Sequence, residues 1–197
     1  MYKPFNSILK TKFFSLEEAL PQAINSEDPY YRITGADSVI SCILDQFDNF
    51  ILIRQYRPNL EMFTLESPAG GIEKFEAPIQ AMQREIMEET GLRCALLPIG
   101  RDFRLMMNRT NIRDHLFFGM FPEQVIECTP EAGIELIRVP RVKLLDMILC
   151  GEFMHLATLG IMQIVGGVLK VDMWNSPYEQ IKSSFQNQAK VKFYDKE

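Results

Sequence analysis

Residues 77 to 91 spell a helix with both ends marked, and its charges constrain this chain more than any other segment does. Ala77-Pro78 opens it, where the N–H that proline lacks would have no helical partner in any case. Ile79, Met82 and Ile86 recur at three- and four-residue spacing and give one apolar face. Gly91 follows the last periodic residue and suits a left-handed cap. The spacing predicts a helix over Ala77 to Thr90. On it Glu85, Glu88 and Glu89 stand at i, i+3 and i+4, which gathers three carboxylates on one flank. Exposed like-charge pairs at that spacing repel by roughly 0.2–0.5 kcal/mol each. Two of the three also lie near the helix C-terminus, where the dipole disfavours anions. A bound divalent cation would reverse both penalties, and a hard cation such as Mg²⁺ takes oxygen ligands while also touching substrate phosphates.

An acidic helix face is most often a solvated surface. Two further features point elsewhere. Gly70-Gly71, just before the helix, predicts a loop whose backbone approaches something closely, with carbonyls able to add ligands. Arg84 lies one turn before Glu88 and can hold its carboxylate in place.

From Gly70 to Leu92 the chain resembles the Nudix box, Gly-x5-Glu-x7-Arg-Glu-U-x-Glu-Glu-x-Gly-U with U aliphatic, and matches it at every specified position. With average residue usage a chance match falls below about one in a million. The resemblance implies a hydrolase of the α/β (α+β) class, a Nudix-type α/β/α sandwich with a mixed β-sheet. In such a fold a strand–loop–helix–loop unit holds Mg²⁺, with Mn²⁺ as a substitute, against a diphosphate. It implies Glu85, Glu88 and Glu89 as metal ligands and catalytic residues, joined by the carbonyl of Ala69. Glu76 and Arg84 carry over as orienting residues.

The flanks narrow the resemblance. Arg54-Gln-Tyr-Arg57, followed by Leu65-Glu-Ser-Pro-Ala-Gly-Gly71, resembles the ADP-ribose and nucleoside-diphosphate-sugar pyrophosphatase branch. Arg54 and Arg57, near a strand end, can neutralise a diphosphate or pair with a carboxylate. Glu66 is read as orienting one of them, and Tyr56 as either a base-stacking or a packed residue. The branch carries a proline beyond the box. Here the segment reads Arg104-Leu-Met-Met-Asn-Arg-Thr-Asn-Ile-Arg-Asp-His115 without one. Asn108, Arg109, Asn111, Arg113 and His115 are therefore either substrate contacts of a different kind or the decoration of an exposed loop.

At 197 residues the chain suits one domain with an ample core. Residues 1–35 are read as an N-terminal appendage and expected dimerisation element, and 36–197 as the hydrolase domain. A net charge of −5 argues against a general nucleic-acid binder. Cys42, Cys94, Cys128 and Cys150 form no CxxC pair and read as buried thiols in a reducing compartment. Met1 to Lys12 has no apolar signal-peptide core, and Leu156 to Val171 is too short to span a membrane. Cytoplasmic residence is expected, with no membrane partner. The resemblance implies a homodimer.

Ser15-x-x-Glu18 carries a capping-box signature and predicts a short helix before Pro21. Strands are predicted at Val39–Leu44, Phe50–Tyr56, Phe63–Leu65, Cys94–Leu97, Leu116–Phe121 and Glu135–Val139. A helix is predicted over Val142–Cys150, closed by Gly151, and a final one from about His155.

The reaction these parts predict is Mg²⁺-dependent hydrolysis of the diphosphate bond in a nucleoside diphosphate linked to another moiety, of the ADP-ribose or nucleotide-sugar kind, releasing a nucleoside monophosphate. The metal would lower the pKa of a bound water, and a carboxylate would take its proton. Glu123, Glu127, Glu131 and Glu135 all lie where the resemblance puts that base. Glu131, on the most loop-like stretch, is preferred, with Glu85 as the other choice. Two other functions compete: a ligand-sensing regulatory domain without turnover, and an enzyme acting on another diphosphate or a nucleoside triphosphate.

Overall fold

The run Ser38–Leu44 is apolar on both faces, so it must lie between two layers. The computed structural model describes residues 4–20, 28–125 and 128–194. Its elements are β1 (Asn6–Lys10), β2 (Phe14–Ala19), β3 (Tyr30–Gly35), β4 (Ser38–Leu44), β5 (Asn49–Arg57), β6 (Met62–Glu66), β7 (Ala69–Gly71), α1 (Pro78–Thr90), β8 (Leu92–Phe103), β9 (Asp114–Gln124), β10 (Ile134–Pro140), α2 (Arg141–Leu149), α3 (Leu156–Leu169) and α4 (Tyr178–Tyr194). Strand β4 is indeed central. Val39 and Ile43 pack with Ala81, Met82 and Ile86 of α1. On the opposite face Ile40, Cys42 and Leu44 join a core that includes Ile161 and Val165 of α3 and Ile181 and Phe185 of α4. Helix, mixed sheet and helices thus form the three layers expected from the sequence.

The main sheet runs β10-β5-β4-β9-β8, with β4 and β9 parallel and its other pairs antiparallel. It forks in a way that positions the site. Strand β5 pairs with β4 only at Phe50 and Ile51, and its second half pairs with β6 instead. The edge of β4 left free by this splay is taken by β7, with Val39 opposite Gly70. Ser67-Pro68 crosses the fork, and the Ser41 N–H donates to the Pro68 carbonyl at 3.0 Å.

A second, three-stranded sheet is formed by β1, β2 and β3 in that order. It corrects one expectation: Ser15 to Glu18 is strand, not helix. Strand β2 pairs on both sides, and Glu17 reaches across to Arg32 of β3 at 2.8 Å. Cross-strand partners outweigh a local capping pattern. The small sheet touches the rest where the Ile33 N–H donates to the Arg109 carbonyl at 2.7 Å.

From β4 onward the strands match the predicted ones, most of them extended at their ends, except β7: Ala69–Gly71, read as loop, pairs as a short strand on the free edge of β4. Helix α1 begins and ends as read, with Gly91 left-handed at φ 67°. Ile79, however, is exposed, and the buried face is Ala81, Met82 and Ile86. The helix after His155 is not the last. Lys170 turns left-handed at φ 55°, Asp172 caps the N–H groups of Trp174 and Asn175, and α4 follows Pro177. The four cysteines are free, but only Cys42 is buried; Cys94 and Cys128 are partly buried and Cys150 is exposed. Among the described residues no helix is long and apolar enough to cross a membrane.

Candidate active site

Arg84 is the centre of the charged cluster. Its Nε and Nη2 donate to the two oxygens of Glu76 at 3.0 Å each. Nη1 donates to Glu85 at 2.8 Å and to Glu88 at 3.0 Å, and Nη2 also reaches the Gly71 carbonyl at 2.9 Å. A planar fork with five N–H donors can serve four partners at once, where a lysine could not. The bonds to Glu76 hold the guanidinium charged and bring the Glu76 carboxyl below its ordinary value.

Glu85 lies against Gly70 so closely that a Cβ there would sit 2.0 Å from its Cδ. This is the close backbone approach predicted for the glycine pair, and it belongs to Gly70 alone. At Gly71 an added Cβ meets nothing nearer than 4.0 Å. Burial raises the Glu85 carboxyl above its ordinary value, against the pull of Arg84.

Glu89 is only 6% exposed, and its Oε2 accepts the Ala69 N–H at 3.1 Å. Burial pushes its carboxyl up to about 8, with the Ala69 bond opposing and the Glu85 charge adding to the rise. Such a carboxylate, desolvated and beside another, is unstable in its charged form without a cation. Glu88 is half exposed and turned to Arg84. Among the described residues no three His, Cys, Asp or Glu side chains are already gathered at metal-ligand spacing. The donor set nevertheless fits a hard divalent ion. Glu85 and Glu89 offer carboxylate oxygens on neighbouring helix turns, both raised by burial, against the backbone of β7.

A family model described as the NUDIX domain matches residues 35–149. The chain belongs to the NUDIX family. The curated relatives match shorter stretches. A methanol dehydrogenase activator of Bacillus methanolicus is 37% identical over 75 residues, 38% of this chain and 40% of that protein. An ADP-sugar pyrophosphatase of Mus musculus is 51% identical over 41 residues, 21% of this chain and 19% of that one. The chain therefore spans less than half the length of these relatives. A solved structure described as an ADP compounds hydrolase superposes with a TM-score of 0.68 at 20% identity, covering 86% of this chain and 94% of that one. It shares the fold.

Around the NUDIX helix the predicted residues divide. Arg57 and Glu66 form a two-bonded pair at 2.7 and 2.6 Å, steadied by Thr64 at 2.6 Å. Arg57, Glu66 and Glu89 feel one another's charges, so the pair adjoins the carboxylate cluster. Glu66 thus orients Arg57 rather than Arg54. Arg54 instead meets Glu135 at 3.2 Å and covers the Phe63 ring at 4.0 Å, while Tyr56 packs edge-on against Phe63 and stays half exposed. The Glu131 N–H donates to the Glu88 carbonyl at 2.7 Å, which ties its loop to the last turn of α1. Glu135 is engaged by Arg54, Glu123 lies opposite Arg93 at the β9 end, and Glu127 falls outside the described residues.

Two of the predicted arginines lie apart from the cluster. Arg109 stacks over Tyr30 of the small sheet at 5.5 Å, and the Tyr30 hydroxyl donates to the Asn108 carbonyl. Arg113 is held by Asp37, with its N–H and Nε each at 2.9 Å from the carboxylate. The Asp37 carbonyl accepts the Ile72 N–H at 2.8 Å, so Arg113 borders the loop after Gly71. Sequence reasoning takes His155 as the start of a helix, which it is, with reach to the site as the lesser reading, and misses the polar bridge it makes behind β7. His155 Nδ1 accepts the Ser67 N–H at 3.2 Å and lies 2.9 Å from the Thr158 hydroxyl, which also donates to Ser67 Oγ at 2.8 Å. These residues are far apart in the chain, and only the small-residue pair Ser67-Pro68 hints at close packing there.

Proposed function

We propose that this NUDIX protein hydrolyses the diphosphate bond of a nucleoside diphosphate linked to a sugar or similar group, with Mg²⁺, releasing a nucleoside monophosphate. The observation that carries the reading is Glu89, a buried carboxylate beside Glu85 with no cation in hydrogen-bond contact among the described residues, on a helix whose arginine is saturated by other partners.

Glu85, Glu88, Glu89 and the Ala69 carbonyl would hold the ion, with Mn²⁺ as a substitute. When bound it supplies charge neutralisation for the diphosphate and a water of lowered pKa. Arg84 keeps Glu85 and Glu88 from spreading apart and anchors them to β7 through Gly71. Arg57, half exposed beside Glu66, presents a positive edge to a substrate phosphate. Glu131 serves as the base that takes the water's proton. Its exposed side chain springs from a loop whose backbone is bonded to the Glu88 carbonyl at 2.7 Å, which supports this choice of base. Arg109, on the loop pinned to the small sheet, and Arg113, held by Asp37, would reach the more distant parts of the substrate.

Residues 1–35 are proposed as the dimerisation element. Ile8, Leu9, Phe13, Phe14 and Tyr31 of the small sheet and its turns are all exposed, which favours a second copy of the chain as their cover. The free thiols suit a reducing cytoplasm.

A second reading is favoured by the relative described as an activator: a regulatory domain that binds such a diphosphate without cleaving it. One experiment separates the two. Purified protein with Mg²⁺ is given a panel of nucleotide sugars and related diphosphates, alongside Glu89→Gln. Release of a nucleoside monophosphate from at least one compound, abolished in the variant, supports the enzyme. Binding without turnover across the panel supports the regulatory reading.

A further inference from the structure

We propose that His155 is a substrate-recognition residue, whose Nε2–H donates to an acceptor on the uncharged end of the substrate, a nucleobase, seated in the cleft between β5, β6 and the start of α3. The inference deepens the proposed diphosphate site and rests on it only for what lies at the cleft's other end.

The cleft holds about 420 Å³ and is lined by Arg57, Leu60, Thr64, Glu66, Met154 and His155 among others. That is within the range of small-molecule sites. Its wall runs directly into the Arg57–Glu66 pair that adjoins Glu89. Sequence places these residues nowhere near one another. Ser67 and His155 are 88 positions apart and meet because α3 packs behind the β6–β7 crossing.

The imidazole tautomer is assigned from the backbone donor at Nδ1, with the Thr158 hydroxyl able to turn its one proton to Nδ1 or to Ser67 Oγ. The Ser67 N–H can only donate, so Nδ1 must accept and the ring proton resides on Nε2. Ser67 and Thr158 are fully buried, so this edge of the ring faces the protein. Nε2 has no hydrogen-bond partner among the described residues, and it is not sealed from solvent. It is a pre-oriented donor waiting on the cleft wall.

The remaining lining says what it would meet. The one anion, Glu66, already accepts from Arg57 twice and from Thr64. That pairing engages Nε and Nη2 of Arg57 and leaves its remaining edge for the diphosphate. The exposed Asn59 side chain adds one amide edge with a donor and an acceptor side by side, and otherwise the cleft offers donors and apolar surface with little net charge. A sugar needs several acceptors for its hydroxyls where the lining leaves chiefly the Asn59 carbonyl, cations need an anion, and a further phosphate needs a free cation. A flat heterocycle with ring nitrogens or carbonyls needs only what is present. Leu60 and Met154 are both more than half exposed here, and the thioether suits an aromatic face.

The test uses the 197-residue chain without added metal, so that turnover is not required. AMP, GMP, CMP and UMP are titrated calorimetrically and by NMR of the imidazole ¹H–¹⁵N signals. The chain has two histidines, so comparison with His155→Asn assigns them. Asparagine can still accept the Ser67 N–H but cannot offer the Nε2 donor. At least one nucleotide is expected to bind, to shift the His155 Nε2 signal, and to bind His155→Asn about three- to tenfold more weakly. Where the wild type turns over a diphosphate, the variant's loss should fall more on KM than on kcat. No binding by any of the four overturns the proposal, as does binding that leaves the His155 signal unmoved. Turnover with an unaffected KM in His155→Asn also overturns it while leaving the hydrolase reading intact. Nucleotide binding at His155 in a protein that cleaves nothing does the reverse.

Discussion

Replacing Gly70 by alanine should disable the site while sparing the fold. The added Cβ would lie 2.0 Å from both Cδ and Oε1 of Glu85 and 2.4 Å from Oε2. Ordinary contact begins near 3.4 Å, so the carboxylate must retreat by about 1.4 Å. The obstacle is the far end of a flexible side chain, so the backbone need not move. Gly70 is not in the left-handed region either, so alanine brings no conformational strain and even restricts the unfolded chain. Stability should therefore change by no more than about 1 kcal/mol. Catalysis is less forgiving, because a displacement on the order of 1 Å can cost about 10²-fold. The retreat also breaks the 2.8 Å bond from Arg84 to Glu85. Mg²⁺-dependent turnover should fall about 100-fold and metal affinity should drop, measured by product release and by calorimetry beside thermal unfolding. Gly71→Ala is the internal control, since its Cβ meets only Ala36 at 4.0 Å. Gly70→Ala activity within threefold of wild type would refute the reasoning. So would an equal loss in Gly71→Ala.

Arg84→Lys should keep the helix and the charge but lose the shared fork, lowering kcat roughly 10- to 100-fold; near-normal turnover with unchanged circular dichroism would speak against Arg84 as organiser. The pH dependence of metal binding follows from Glu89. Its folded carboxyl is raised from 4.5 to about 8, so at neutral pH the ion must displace a proton. Apparent affinity should climb with pH, by up to about tenfold per unit, and level off above about 8. The same shift acts on the metal-free fold. Both states hold the proton below 4.5, whereas between 4.5 and about 8 only the folded state does, so stability declines across that window and then stays flat. Glu89→Gln should remove this decline, and a urea midpoint with the same pH profile in both proteins would count against it.

The helix α1 and its charges were legible because every contact that defines them is close in the chain. Arg84 meets Gly71, Glu76, Glu85 and Glu88, and the glycine at 70 makes room for a carboxylate on the same segment. The central strand was legible for another reason: a run buried on both faces has only one place to lie. Ser15 to Glu18 misled because a capping signature reports one turn of chain, whereas the partners that decide the matter sit on β1 and β3. Ile79 shared the period of the apolar face yet stayed at its exposed margin in the first turn. Arg109 and Arg113 had composition suited to phosphates, but their placement depends on Tyr30 and Asp37, over 70 positions away. No local pattern carries that information, and the bridge from Ser67 to His155 is invisible in the sequence for the same cause.

The sequence distance of these contacts has a consequence for how the molecule can vary. All of Arg84's partners fall within residues 71–88, so a substitution inside that stretch disturbs several bonds at once. The cleft is assembled from β5, β6 and the start of α3, separated by nearly half the chain. Changes around Met154 and His155 can therefore reshape what enters without touching the charges beneath. The heritable unit of chemistry and the heritable unit of choice lie on separate parts of one polypeptide, free to drift at different rates.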